Sequence, residues 1–290
     1  MPPVTENPAS AQEISALLEQ ALREGRFTLP VMPEIAVRVS EAVQRQGVGA
    51  RDLARIIEAS PGLSARVLRM ANSAMYAGLC EIVDLAQAIG RLGVTMVLVL
   101  VIGAAGKETF RSNDATWAGL LERAWMSAIF ASVAARLVGV RAGEIPEECF
   151  LAGLFHSIGE PILVQAAERL SPRGTPAHID AMVLREAIEP LIPAAGARLL
   201  ASWGLPEKVA LAVAHQRDGA LAPPGTRLLA AATGLAGAFG RQLVNGCDPR
   251  QSAQELSEEA GARFLEMDFD DLEPIFVQSA EDGSAIAQAL

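Results

Sequence analysis

Two imidazoles could carry chemistry in this chain, and neither has a carboxylate beside it. His156 precedes Ser157 in the segment Gly153-Leu154-Phe155-His156-Ser157-Ile158-Gly159-Glu160, and His215 precedes Gln216. A hydrolytic metal site draws neutral nitrogens and charged oxygens from several helices to hold one or two ions and activate water. Ser157 offers only a neutral hydroxyl, a poor ligand for a divalent ion. Two histidines also fall short of the three protein ligands that a catalytic zinc uses. The plainer reading of both rings is structural: a buried imidazole satisfies itself by bonding backbone or a neighbouring helix. The third histidine, His178, follows Pro176 and is expected at the surface. Gly103 and Gly106 are not followed by the Lys-Ser or Lys-Thr pair of a phosphate-binding loop, and no Gly-x-Ser-x-Gly nucleophile turn occurs.

The elements that must position these groups read as helices. Ile14, Leu17, Leu18, Ala21 and Leu22 give a first helix over 9–24. Pro30 and Pro33 enforce an extended turn, and Pro33 can open a helix bearing Ile35, Val39 and Val43. A short helix follows over 52–58. Ser60 is then a candidate cap and Pro61 a first helical residue for a helix through Asn72. Asp84 and Gly93 bracket the next helix. From Val94 the β-branched run would suit a buried strand equally well, but no strand partner is visible, so a helix is predicted. Further helices are expected over 117–138, from Pro146 through His156, and over 178–188, 194–203, 206–217 and 226–240. A loop is expected at 171–176. The last fifty residues, acidic in clusters, are expected to form small helices and a frayed tail.

Composition narrows the class. Hydrophobic residues are 51% of the 290 and aromatics only 4%, which excludes disorder for most of the length and favours helices packed on small side chains. An all-α protein is predicted. The net charge of −10 argues against broad binding to nucleic acid or to an anionic membrane. Three scattered cysteines fit a reduced, cytoplasmic protein without a disulfide framework. The longest apolar run, Val94 to Ala105, is too short to span a bilayer, and no signal peptide is visible. Arg51, Arg55, Arg66 and Arg69 flank two short helices in a superficial helix-turn-helix. Asp52 and Glu58 dilute their charge, so a solvated face is the better reading than a DNA reader.

An ordered set of motifs carries a resemblance. Leu29-Pro30 and Met32-Pro33 come first, then Ser60-Pro61-Gly62-Leu63-Ser64-Ala65-Arg66-Val67-Leu68-Arg69-Met70-Ala71-Asn72-Ser73. Ala88-Ile89-Gly90-Arg91-Leu92-Gly93, Ala152 through Gly159, and Ser202-Trp203-Gly204-Leu205-Pro206 follow in order. Over about residues 25–240 the chain resembles the HDOD family, a bacterial signalling module related to HD-type phosphohydrolases. The resemblance implies a two-lobed, multi-helix fold with an HD-like helical second lobe. It also implies a role in signal transduction, usually without demonstrated enzymatic activity. The corresponding divisions are an N-terminal helix at 1–24, a first lobe at 25–112, an HD-like lobe at 113–240 and small C-terminal helices at 241–290.

Against that family frame, Ala124-Trp125-Met126-Ser127 resembles the helix that supplies a first metal-binding histidine, with Met126 in its place. His156 matches the histidine of a His-Asp pair, and Ser157 replaces the aspartate. His215-Gln216 resembles a His-His pair with one member lost. The expectation is a catalytically dead scaffold, with no metal or cofactor, that binds signalling proteins bearing basic patches. A vestigial pocket of Met126, His156, Ser157, His215 and Gln216 is the candidate site for a small molecule such as a nucleotide or cyclic dinucleotide. Residual phosphohydrolase activity and DNA binding through 51–73 are the rival readings. Pro30, Pro33, Arg66, Arg69, Asn72 and Ser73 are candidates for a partner surface. Asn72 and Ser73 also have a structural reading, as helix-terminating side chains that bond local backbone.

Overall fold

Among the described residues every regular element is a helix. The computed structural model describes residues 10–27, 29–45, 48–76, 78, 80–112, 115–170 and 180–289. The expected loop at 171–176 and His178 lie outside them. α1 (Ala11–Arg23) comes first in the chain, and the first lobe holds α2 (Glu34–Gln44), α3 (Ala50–Ile57), α4 (Pro61–Ala71), α5 (Leu85–Leu92) and α6 (Val94–Lys107). The second holds α7 (Ala115–Arg141), α8 (Pro146–Phe155), α9 (Gly159–Leu170), α10 (Ala181–Ile188), α11 (Ile192–Ser202), α12 (Glu207–Ala214) and α13 (Arg227–Val244). The chain ends in α14 (Pro249–Ser257), α15 (Ala260–Phe264) and α16 (Phe269–Ala289).

Local chemistry sets several of these boundaries. Ser10 and Glu13 form a reciprocal capping box at the start of α1, with bonds of 3.3 and 2.9 Å. The Asp84 carboxylate accepts from the Gln87 amide at 2.8 Å and starts α5. Gly93, at φ +81°, ends α5 in a conformation that side chains resist, and α6 leaves it at 104°. The apolar run from Val94 is helical because it is enclosed: Val97, Val99, Leu100, Val101 and Ile102 are all buried.

Three expectations change in detail. Ser60 precedes α4, but its side chain makes no capping bond; Ser64 instead donates to the Ile57 carbonyl at 3.1 Å, tying α4 to α3. Leu17 faces solvent at 56% exposure, since α1 needs only Ile14, Leu18, Ala21 and Leu22 to fill its buried stripe. The C-terminal segment is not only small helices. α16 runs for 21 residues with Pro274 inside it. Burial of Leu272, Ile275, Phe276 and Ile286 offsets the hydrogen bond that the proline removes.

The lobes share one core. A single buried cluster runs from Ile14 on α1 to Ala230 on α13, and a second fills the space between α7, α13 and the C-terminal helices. α7 packs most extensively along α8 and α13, while α16 lies on α7 and reaches α4. α1 packs against α10 and α9. The Trp203 indole donates to the Pro30 carbonyl at 2.8 Å and meets Phe155 edge-on at 6.1 Å, so two of the sequence motifs join across the lobes. Two stretches among the described residues, Trp117–Arg141 and Pro146–Ala167, are long and apolar enough to cross a membrane by length and composition. In this fold 61% and 83% of those windows, respectively, are buried against other helices.

Candidate functional site

The chain breaks its helix at His156, and the break makes the floor of a cavity. α8 ends at Phe155, a turn covers His156, Ser157 and Ile158, and α9 begins at Gly159. The His156 ring is buried, and its Nδ1 lies 2.8 Å from the Gly153 carbonyl. That contact makes Nδ1 the donor in the neutral tautomer and leaves Nε2 as an acceptor. Burial, with the positive charge of Arg241 nearby, lowers the His156 pKa to about 4 even though the Gly153 bond favours the charged ring. The ring is therefore neutral at physiological pH.

α13 closes over the ring because it carries glycine there. A Cβ at Gly237 would stand 2.9 Å from Cδ2 and 3.3 Å from Nε2 of His156. One turn on, a Cβ at Gly240 would meet the Ser127 hydroxyl oxygen at 2.8 Å. Gln216, just past α12, fixes the turn from the other side: its amide donates to the His156 carbonyl at 2.7 Å and to the Val213 carbonyl at 3.0 Å.

The resulting cleft has a volume of about 500 Å³. His156, Ser157 and Ser127 line it as buried groups, and the Ser127 and Ser157 hydroxyls have no hydrogen-bond partner. Leu120, Ala124, Ile192, Pro193 and Leu235 give it an apolar wall. Charged residues stand around it: Arg123, Arg185, Arg217 and Arg241 against Glu160, Glu189 and Glu259. Arg123 donates to the Asn245 side chain at 2.7 Å, and Arg217 donates to the Glu189 carbonyl at 2.6 Å with its carboxylate 3.8 Å away. Among the described residues the guanidinium groups of Arg185 and Arg241 have neither a hydrogen bond nor an ion pair. Burial raises the Glu160 pKa to about 7, with Arg185 pulling it down and Glu189 pushing it up.

Of the residues expected to meet in one pocket, His156, Ser157 and Gln216 do, whereas Met126 and His215 do not line it. α7 turns Leu120, Arg123, Ala124 and Ser127 toward the cavity, at the i, i+3, i+4, i+7 spacing of one helical face. Met126 lies about 100° round the helix and packs against the core instead. His215 sits half-buried at the end of α12 and, unlike Gln216, does not line the cleft. Glu160, Arg185 and Arg241 were not anticipated. The signal for Arg241 was the three-residue glycine rhythm Gly234, Gly237, Gly240 just before it, which marks a face that other elements approach.

These residues do not fit a metal centre. Among the described residues no group of three or more His, Cys, Asp or Glu is placed to hold an ion. His156 spends Nδ1 on backbone, Ser157 brings no charge, and Gln216 spends its amide on carbonyls.

The partner-surface candidates have mostly structural places. The Asn72 side chain clamps Ile82, donating to its carbonyl at 2.8 Å and accepting from its amide at 2.9 Å. Ser73 is buried and donates to the Met70 carbonyl at 2.7 Å. Arg91 braces the same loop through the Ala71 and Cys80 carbonyls, each at 3.2 Å. Pro30 lends its carbonyl to Trp203, Pro33 precedes α2, Arg66 is half-buried, and Arg69 is exposed.

A family model described as the HDOD domain matches residues 29–218. Among solved structures, the chain is similar to a candidate metal-dependent phosphohydrolase of Shewanella amazonensis SB2B, with a TM-score of 0.75, 21% identity, and coverage of 96% of this chain and 98% of that one. It is also similar to a candidate signal transduction protein of Marinobacter aquaeolei VT8, with a TM-score of 0.60, 23% identity, and coverage of 98% and 67%. At these identities the likeness concerns the fold. A curated relative, an uncharacterized protein of Treponema pallidum (strain Nichols), is 23% identical over 189 residues. The match takes in 62% of this chain and spans about a third (36%) of that relative's length.

Proposed function

The chain belongs to the HDOD family, and we propose that it is a regulatory protein of bacterial signal transduction that works by binding rather than by hydrolysis. The observation that carries this reading is the floor of the cleft. Where a hydrolytic site would set a carboxylate beside the histidine, Ser157 presents a neutral hydroxyl, and the His156 ring is tied to Gly153. The charge of −10 suits signalling partners with basic patches, and the cytoplasm is the compartment in which its three free thiols stay reduced.

Elemental analysis of the purified full chain, beside turnover assays on phosphodiesters and nucleotides, tests the reading. Substoichiometric metal and no turnover above the buffer blank are expected. Stoichiometric iron, manganese or zinc together with phosphodiester cleavage would overturn it. One observation favours a ligand for the cleft as well as protein partners: its buried hydroxyls lack hydrogen-bond partners.

A further inference from the structure

We propose that the cleft is a metal-independent site for a small phosphate-bearing anion, held at the rim by Arg185 and Arg241 and on the floor by Ser127 and Ser157. The inference rests on the reading that the cleft holds no metal.

Two independent observations converge. On the floor, Ser127 and Ser157 are each 8% exposed, line the cleft, and have no partner for their hydroxyls. Buried polar groups are ordinarily satisfied, so unmatched hydroxyls on two residues that line one cavity mark donors that await an acceptor. At the rim, Arg185 on α10 and Arg241 on α13 approach from different helices, and among the described residues neither has an ion-pair partner. The other two arginines are occupied, Arg217 with Glu189 and Arg123 with Asn245.

The donor set fits a tetrahedral anion better than a planar one. A guanidinium fork bonds two phosphate oxygens at once, and two forks with two hydroxyls can serve all the non-bridging oxygens of a phosphomonoester. A carboxylate has two oxygens and would leave donors idle. His156 also lines the cleft, and its ring stays neutral with Nε2 as the acceptor nitrogen. Glu160, Glu189 and Glu259 also line the cleft and oppose an anion, so binding depends on Arg185 and Arg241 rather than on bulk positive charge. The apolar wall formed by Leu120, Ile192 and Leu235 has nothing to offer inorganic phosphate, so an organic phosphate ester should bind more tightly than the free ion.

The test is calorimetric titration of the full chain after dialysis against a chelator, with residual metal read by elemental analysis. The probes are inorganic phosphate, glycerol 3-phosphate, adenosine monophosphate and succinate. The phosphate esters should bind, inorganic phosphate should bind about threefold or more weakly, and succinate should give no heat. Arg241→Gln should weaken the esters by about tenfold or more, and Ser157→Ala by about threefold to tenfold. Arg185→Gln, an exposed position on α10, provides the same readout if Arg241→Gln misfolds by circular dichroism.

No binding of any phosphate at about 10 mM would overturn the inference, since that corresponds to an affinity below any useful site. Succinate binding as well as the esters would overturn it, as would affinities unchanged in all the variants. Phosphate binding that disappears only when a tightly held metal is stripped would sink both this inference and the non-hydrolytic reading. Failure in protein that never held metal would sink this inference alone.

Discussion

Replacing Glu160 with glutamine should free the fold from a pH-dependent penalty. Burial raises the Glu160 pKa from 4.5 to about 7, so the native state prefers the protonated carboxyl. Below about pH 4.5 both the native and the unfolded chain carry the proton, and this group makes no difference to stability. Between there and pH 7 the unfolded chain releases its proton while the native chain keeps it. The native state then binds more protons, so stability falls as pH rises, and the loss is complete above pH 7. At about 1.4 kcal/mol per pH unit the full loss is about 3 kcal/mol, an upper value because Glu160 keeps some contact with solvent. Glutamine has the shape of the protonated acid and no charge to bury. Urea unfolding of the parent and Glu160→Gln, at about pH 5 and pH 8, should show the difference in stability moving by about 2 kcal/mol in favour of the variant at the higher pH. A difference that stays constant across that range within about 0.5 kcal/mol would refute the burial argument for this carboxyl.

Asn72→Ala should cost about 1–3 kcal/mol in denaturant unfolding, because it removes both bonds to Ile82 and leaves the Ile82 amide and carbonyl short of partners. Asn72→Asp keeps the acceptor but turns a carboxylate oxygen toward the Ile82 carbonyl, so it should cost at least as much as alanine; an alanine variant as stable as the parent would contradict the clamp. Cys149 is buried and its thiol is pushed up to about 12 by burial and the nearby Glu144 and Glu148, while Cys80 and Cys247 are exposed. A colorimetric thiol titration of native protein should therefore count two cysteines, with the third appearing only on unfolding; three in the native state would contradict this packing. Gly237→Ala would press a methyl on the His156 ring and should cost about 1–3 kcal/mol, read as a fall in melting temperature, and no change would mean that α13 does not close over the ring.

What the sequence showed of the fold was whatever local chemistry encodes. Asp84 and Gly93 bracket α5 by capping and by positive φ, and both can be read one residue at a time. α16 was hidden because Pro274 argues locally against a long helix, and only burial against α7 outweighs it. Ser60 had the right residue type for a cap but not the bond, since the link between α3 and α4 is made by Ser64. In the site, His156 and Ser157 were legible as a motif. Their neighbours were not, because Arg185 and Arg241 arrive from later helices, α10 and α13, and meet the turn only through tertiary packing. The placement of Met126 in the pocket failed by one position: the cavity-facing row of α7 passes through Ser127, and a single step along a helix rotates a side chain about 100°.

The claim that this HDOD protein binds rather than hydrolyses is met most directly by metal analysis of the native chain beside a Ser157→Asp variant, each followed by phosphodiester turnover. Substoichiometric metal and no turnover are expected in the native protein. The same is expected of the variant, because one carboxylate beside a His156 ring tied to Gly153 still leaves too few ligands. Stoichiometric metal and cleavage in the native protein would contradict it.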